Sequence, residues 1–283
     1  MLVDPTKSKV CMKHVVCYSG GYSSALVAIE VVRKYGKDSV ILLNHDISSW
    51  VEAEDIKRFK QEVADYLGLP ITYANMKGLV LKDLPDQFDV VMQDKAFKVG
   101  SGPAICTSRL KTEPFMQWLN ANDPGKQFII YYGFDANEKV RIQRRSGVMG
   151  SLGWKTDYPL ALWDNRTLFD TNEIGILPPN TYANFKHGNC IGCLKAGKQH
   201  WYIVYCTRPD VFEKAKLAED KIGYSIINGE YLEEMEEMFE KMKKANIPAT
   251  EHIKHQTFWA QAKKIIKIEN LTQDDAKPCE CVF

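Results

Sequence analysis

The chain has 283 residues, of which 45% are hydrophobic and 26% charged, with a formal net charge of +1. That length suits one large α/β domain, or one domain with a smaller appended unit, and the composition is ordinary for a globular protein. The near-neutral charge argues against broad nonspecific binding to nucleic acid or acidic membrane surfaces.

No opening apolar segment reads as a signal peptide and no run is long enough to span a bilayer, so the expectation is a cytoplasmic chain with no membrane partner. In that reducing setting the eight cysteines are to be read for metal or redox chemistry rather than as a disulfide framework.

The first predicted strand is the short apolar run His14-Val15-Val16-Cys17. It leads into Tyr18-Ser19-Gly20-Gly21-Tyr22-Ser23-Ser24-Ala25 and then into a helical pattern that closes at Tyr35-Gly36. Strand, glycine turn and helix together make an anion site. Glycines admit close approach of the backbone, successive N–H groups point into one concavity, and the helix adds its free N-terminal donors and the positive end of its dipole. Ser19, Ser23 and Ser24 add hydroxyls. With several donors and no lysine, the loop suits a multi-oxygen anion such as pyrophosphate. It matches neither the Gly-x-x-x-x-Gly-Lys nor the Gly-x-Gly-x-x-Gly pattern.

Val40 to Asn44 reads as a second, buried parallel strand ending in Asn44-His45-Asp46. These polar residues are candidates for nucleotide contact, Asp46 among them, or form an Asx-type turn before the next helix. Glu52 to Leu67 is an amphipathic helix with Ile56, Phe59, Val63 and Leu67 on one stripe, closed by Gly68 and Pro70. Ile71 to Ala74 is a third strand, and the alternation implies right-handed crossovers and a parallel sheet.

A helix is predicted to open near Ile105-Cys106 and run through Leu119. Gln127 to Phe134 is a fourth strand, running into Asp135 to Arg145. Tyr158-Pro159-Leu160 supplies a fifth strand or its exit. After the Cys190-Ile191-Gly192-Cys193 knuckle the chain is mainly helical, over Trp201–Tyr205, Val211–Ile222, Glu230–Asn246 and Thr257–Ile268. On the third of these, early Glu and late Lys complement the helix dipole, and Met235, Met238 and Met242 read as core packing.

Ser19-Gly20-Gly21-Tyr22-Ser23-Ser24 resembles the PP-loop, Ser-Gly-Gly-x-Asp-Ser, of the ATP pyrophosphatases and the phosphoadenosine phosphosulfate (PAPS) reductases, the adenine nucleotide alpha-hydrolase superfamily. The Asp position is Ser23, so a carboxylate is missing where the family has one. Further elements follow in the family's order. They are Cys106-Thr107-x-x-Leu110-Lys111-x-Glu113-Pro114, then Gly133-Phe134-x-x-x-Glu138-x-x-Arg141-x-x-Arg144-Arg145, then Tyr158-Pro159-Leu160 and the Cys-x-x-Cys knuckle. The resemblance covers about residues 13–205, specific in order and weak in any single element.

The resemblance implies a doubly wound, mostly parallel five-stranded sheet, with a nucleotide-binding α/β domain over residues 1–186 and a helical, cysteine-bearing part over 187–283. It implies a PP-loop enzyme that binds an adenine nucleotide, ATP before others, at Ser19, Gly20, Gly21, Ser23, Ser24, Asp46, Gly133 and Arg144. The enzyme would act at the α-phosphate with Glu138, Arg141 and Arg145. Arginine suits that role because it stays charged and forms forked bonds to phosphate or sulfate oxygens. Glu138 orders these arginines or holds a metal, magnesium being the candidate.

Cys106, Cys190 and Cys193 would hold a four-iron, four-sulfur cluster. A zinc site of Cys190, Cys193, Cys279 and Cys281, or no metal, is the alternative. The remaining Cys11, Cys17 and Cys206 read as packing. Cys281, in the terminal Glu280-Cys281-Val282-Phe283, matches in place the nucleophilic cysteine of PAPS reductases.

The expected partners are the nucleotide, an acceptor (a small metabolite or a nucleic-acid base) and a sulfur or electron donor, with a homodimer left open. The alternative functions are reduction of a sulfate nucleotide to sulfite, and a noncatalytic nucleotide-binding module with a structural zinc.

Overall fold

The structure, a computed structural model, describes residues 12–98, 104–188 and 190–266. In chain order the elements begin with β1 (His14–Cys17), α1 (Tyr22–Tyr35), β2 (Val40–Asn44), α2 (Glu54–Leu67), β3 (Ile71–Tyr73) and α3 (Gln87–Asp94). A short α4 (Ile105–Thr107) passes through a π-helical turn at Ser108–Thr112 into α5 (Glu113–Asn122). Then come β4 (Ile129–Tyr131), α6 (Lys139–Ser151), β5 (Lys155–Asp157), α7 (Pro159–Leu162), α8 (Lys198–Thr207), α9 (Pro209–Ile222), α10 (Leu232–Lys244) and α11 (His255–Ile266).

The five strands form one sheet in the order β3-β2-β1-β4-β5, and every pairing is parallel. His14 stands beside Val40 on one side and Ile129 on the other. The chain therefore builds outward from β1 to β2 and β3, then returns to add β4 and β5 on the opposite flank. That reversal makes the β1/β4 boundary the switch point of a doubly wound fold, the place where such sheets open a crevice at their carboxyl ends.

The described residues divide into two compact units that interleave along the chain. The first takes in residues 12–44, 59–73 and 117–178, and the second residues 45–58, 74–98, 104–116, 179–188 and 190–266. The first holds the sheet. Its core joins Val16, Leu42 and Tyr131 of the strands to Ala25, Val27, Ala28 and Val31 of α1 and to Phe59, Val63 and Leu67 of α2. Glu30 of α1, fully buried, accepts from the Thr167 and Leu168 N–H groups at 2.8 and 2.9 Å and from Arg33. Burial opposes its ionisation, but these hydrogen bonds and the Arg33 charge prevail and hold its carboxyl below the ordinary range.

The second unit is helical, and its core gathers Phe88 and Val91 of α3 with Trp201, Tyr202, Phe212, Phe239 and Phe258 of the later helices. Asp86 caps α3 with Asp89 in a reciprocal box, and Lys214 of α9 bonds Asp86 at 2.6 Å. On α10, Met235 and Met242 are fully buried and Met238 packs against the same core, as their spacing predicts. Among the described residues no helix is long and apolar enough to cross a membrane.

Candidate functional site

At the end of β1 the Tyr18 N–H bonds the Leu43 carbonyl at 2.8 Å, the last ladder bond before the chain turns. Gly20 then takes φ +80°, a left-handed conformation that favours glycine, and a Cβ there would lie 2.9 Å from Lys60 Cδ. Gly21, extended at φ −82° and ψ 161°, is the N-cap of α1 and offers no side-chain cap. Gly21 thus gives the Ser23 and Ser24 N–H groups that open the helix no side-chain acceptor, and the first turn of α1 has no acidic residue. A turn built this way presents backbone donors and the helix dipole to an anion.

The hydroxyls divide the work. Ser24 Oγ donates to the Gly21 carbonyl at 2.8 Å and accepts from Ser19 Oγ at 3.2 Å, while Ser19 Oγ accepts from the Gly21 N–H at 3.4 Å. Two of the three serines therefore brace the turn, and Ser23, exposed at the helix start, is the hydroxyl turned to solvent.

Gly133, just past β4, closes the other side of the turn. A Cβ at Gly133 would come within 3.1 Å of Ser23 C and Ser24 N, so its lack of a side chain is what lets the end of β4 lie against the start of α1. The switch point is thus realised as contact between the β1 turn and the β4 exit.

Beyond Gly133, Tyr132, Phe134 and Tyr158 stack with ring centroids 5.7 to 6.0 Å apart. Arg141 lies 4.5 Å over the Phe134 ring and Arg145 5.4 Å over the Tyr132 ring, so two of the expected arginines are held on aromatic faces. Glu138 pairs with Arg141 and accepts from the Asp135 N–H at 3.0 Å. Arg144 on α6 is exposed.

Sequence reasoning passed over Lys60. It is 2% exposed, with Nζ 3.5 Å from Asn44 Oδ1 and 5.5 Å from the Tyr73 ring centroid. The signal was present, since Lys60 falls on the apolar stripe of α2 between Phe59 and Val63, where a charge is out of place. Asn44 in turn donates to the Tyr18 carbonyl at 2.5 Å, and Tyr18 Oη to the Lys60 carbonyl at 2.7 Å.

The remaining candidates lie in the second unit. Asp46 accepts from Lys57 Nζ at 3.4 Å, and its N–H donates to Asn75 Oδ1. His45 is a neutral ring, because burial lowers its pKa to about 4, and its Nδ1–H donates to the Ala74 carbonyl. Cys190 and Cys193 are buried, and Cys106 packs against the core that holds Cys190. The backbone of their turn is closed by protein. Ile191 N–H donates to the Val51 carbonyl, Gln87 Nε2 donates to the Ile191 and Gly192 carbonyls, and Cys193 N–H donates to His200 Nε2.

Among the described residues no three His, Cys, Asp or Glu side chains are gathered as a group able to hold a metal ion. Cys11, Cys279 and Cys281 lie outside the described residues. Cys17 is a packing residue, its buried thiol pushed up to about 12.

Comparison of the chain with protein-family models, curated proteins and solved structures found no match.

Proposed function

We propose that the chain is a cytoplasmic PP-loop enzyme that binds an adenine nucleotide, ATP before others, on the Ser19–Ser24 turn and cleaves it between the α- and β-phosphates. The observation that carries this reading is the uncapped start of α1 at the switch point. Backbone donors, a dipole and no acidic residue within the first turn itself support its reading as an anion cradle. The ordered resemblance to PP-loop proteins supplies the adenine nucleotide.

In the reaction an acceptor oxygen attacks the α-phosphorus, the bond from that phosphorus to the bridging oxygen breaks, and pyrophosphate leaves with the bonding electrons. The turn, with Arg141, Arg144 and Arg145, offsets the charge that grows on the leaving group. With water as acceptor, ATP and water give AMP and pyrophosphate. With a physiological acceptor, the adenylylated oxygen becomes a leaving group that a sulfur donor can displace as AMP. The resemblance implies an iron–sulfur cluster or Cys281 as sulfur carrier, and the nucleotide step needs neither.

Product analysis with α-phosphate-labelled ATP tests the proposal. AMP with pyrophosphate is the expected outcome, and ADP with phosphate overturns it. Stoichiometric ATP binding with no turnover, with or without candidate acceptors, would favour the nucleotide-binding module.

A further inference from the structure

Residues 165–176 form a strap that climbs α1 from its last turn to its first. Arg33 donates to the Asn165 carbonyl at 2.9 Å, Glu30 accepts from the Thr167 and Leu168 N–H groups, and Tyr22 Oη donates to the Phe169 carbonyl at 3.4 Å. Leu168 and Ile176 turn inward to the core of the sheet. Tyr22 belongs to the glycine turn itself, standing between Gly21 and Ser23. Phe169 is therefore fixed one tyrosine side chain away from the anion cradle.

The Phe169 ring turns outward and is 61% exposed. Its backbone is held on both sides, because its N–H donates to Glu173 Oε1 at 3.2 Å while its carbonyl accepts from Tyr22. Glu173 also accepts from the Asp170 N–H at 2.9 Å, and Asp170 in return caps the short helical turn at Thr171–Ile174. The Arg166 guanidinium lies 5.1 Å from the Phe169 ring centroid, covering one face and leaving the exposure to the other face and the edge. A single apolar side chain on a fraying loop calls for no explanation. An aromatic ring held outward on a braced strap, tied to the turn that receives the phosphates, is a stacking surface made in advance.

We propose that Phe169 stacks on the base of the nucleotide whose phosphates the Ser19–Ser24 turn holds. This rests on the reading of the turn as a nucleotide site and deepens it by assigning the end that takes the base. The strap itself separates base from phosphate. With the Asp170 and Glu173 carboxylates beside it, the ring stands where a phosphate is repelled and an uncharged base is not. The stack contributes through ring area and needs no hydrogen bond to the base.

The test is binding of ATP and of inorganic tripolyphosphate to the full chain, to Phe169→Ala and to Phe169→Trp. Because the ring is exposed, both variants should keep the parent's melting temperature. In Phe169→Ala the expected loss is roughly tenfold for ATP and under about twofold for tripolyphosphate. Phe169→Trp retains ATP affinity, and its added indole fluorescence is quenched saturably by ATP but not by tripolyphosphate. ATP affinity in Phe169→Ala within about twofold of the parent, equal losses for the two ligands, or an added indole that ATP does not quench overturns the assignment. Parent protein that binds tripolyphosphate as tightly as ATP also overturns it, while leaving the turn as an anion site. Parent protein that binds neither ligand overturns the nucleotide reading and this assignment together.

Discussion

Two glycine-containing turns in this molecule spend their backbone groups in opposite ways. At Ile191–Cys193 the peptide donors and acceptors are met by protein: Val51, Gln87 and His200 close the turn from three directions. At Ser19–Ser24 the braces are the hydroxyls of Ser19 and Ser24, and the helix that follows begins without a side-chain cap. A turn whose peptide groups are satisfied by its own fold holds elements together. One whose helix begins without a side-chain cap keeps first-turn donors for something that arrives from solution.

The contrast can be broken most sharply at Gly21. Aspartate is a good N-cap, so Gly21→Asp is expected to keep or slightly raise the melting temperature while placing a carboxylate where the phosphates must lie. ATP cleavage, followed by pyrophosphate release, should fall about a hundredfold or more, the scale of losing a charge-stabilising contact in the transition state. Retained cleavage in that variant sinks the assignment.

Next in size is Gly133→Val. It forces a methyl-bearing side chain into the 3.1 Å approach to Ser23 and Ser24. It should cost about 1–3 kcal/mol in urea unfolding and weaken ATP binding with it.

The closed turn gives the complementary case. Gln87→Leu leaves the Ile191 and Gly192 carbonyls without their donor and is expected to destabilise by about 1–3 kcal/mol. ATP affinity, measured at a temperature where both proteins are folded, stays near the parent's.

Glu30→Gln is smaller and depends on pH. The Glu30 carboxyl is held below its ordinary 4.5 in the folded protein. Its stabilising contribution is therefore present above that value and disappears as pH falls through the folded-state pKa. Denaturant unfolding should show Glu30→Gln about 1–2 kcal/mol less stable near neutrality, with the gap closing in acid. A constant gap across that range contradicts the ionised role.

The sheet was legible because its inner strands are buried on both faces. Val40 to Asn44 stands as β2 with the limits its apolar run sets, and Gly36 closes α1 as a left-handed glycine should. The edge was less legible. Lys155–Asp157 forms β5 with polar, partly exposed residues, so it carries no apolar run, whereas the apolar Tyr158-Pro159-Leu160 beside it leads into α7.

The helix read from Ile105 through Leu119 is interrupted by the π-helical turn at Ser108–Thr112, for which hydrophobic spacing holds no signature. The interleaving of the two units was also hidden, since periodicity reports which face of an element is buried and not which core receives it. At the site the glycine turn was plain from the strand and helix that flank it. The internal use of Ser19 and Ser24 depends on side-chain rotamers that a motif does not encode. Lys60 could have been found as a charge on an apolar stripe, but amphipathic pattern matching counts such a residue as noise.

The most direct measurement is amide nuclear magnetic resonance of the isotopically labelled chain during ATP titration. The account predicts that the Gly20, Gly21, Ser23, Ser24 and Gly133 amides shift most and saturate together, with much smaller shifts at Ile191 and Cys193. Saturable ATP binding that leaves the glycine-turn amides in place would contradict it.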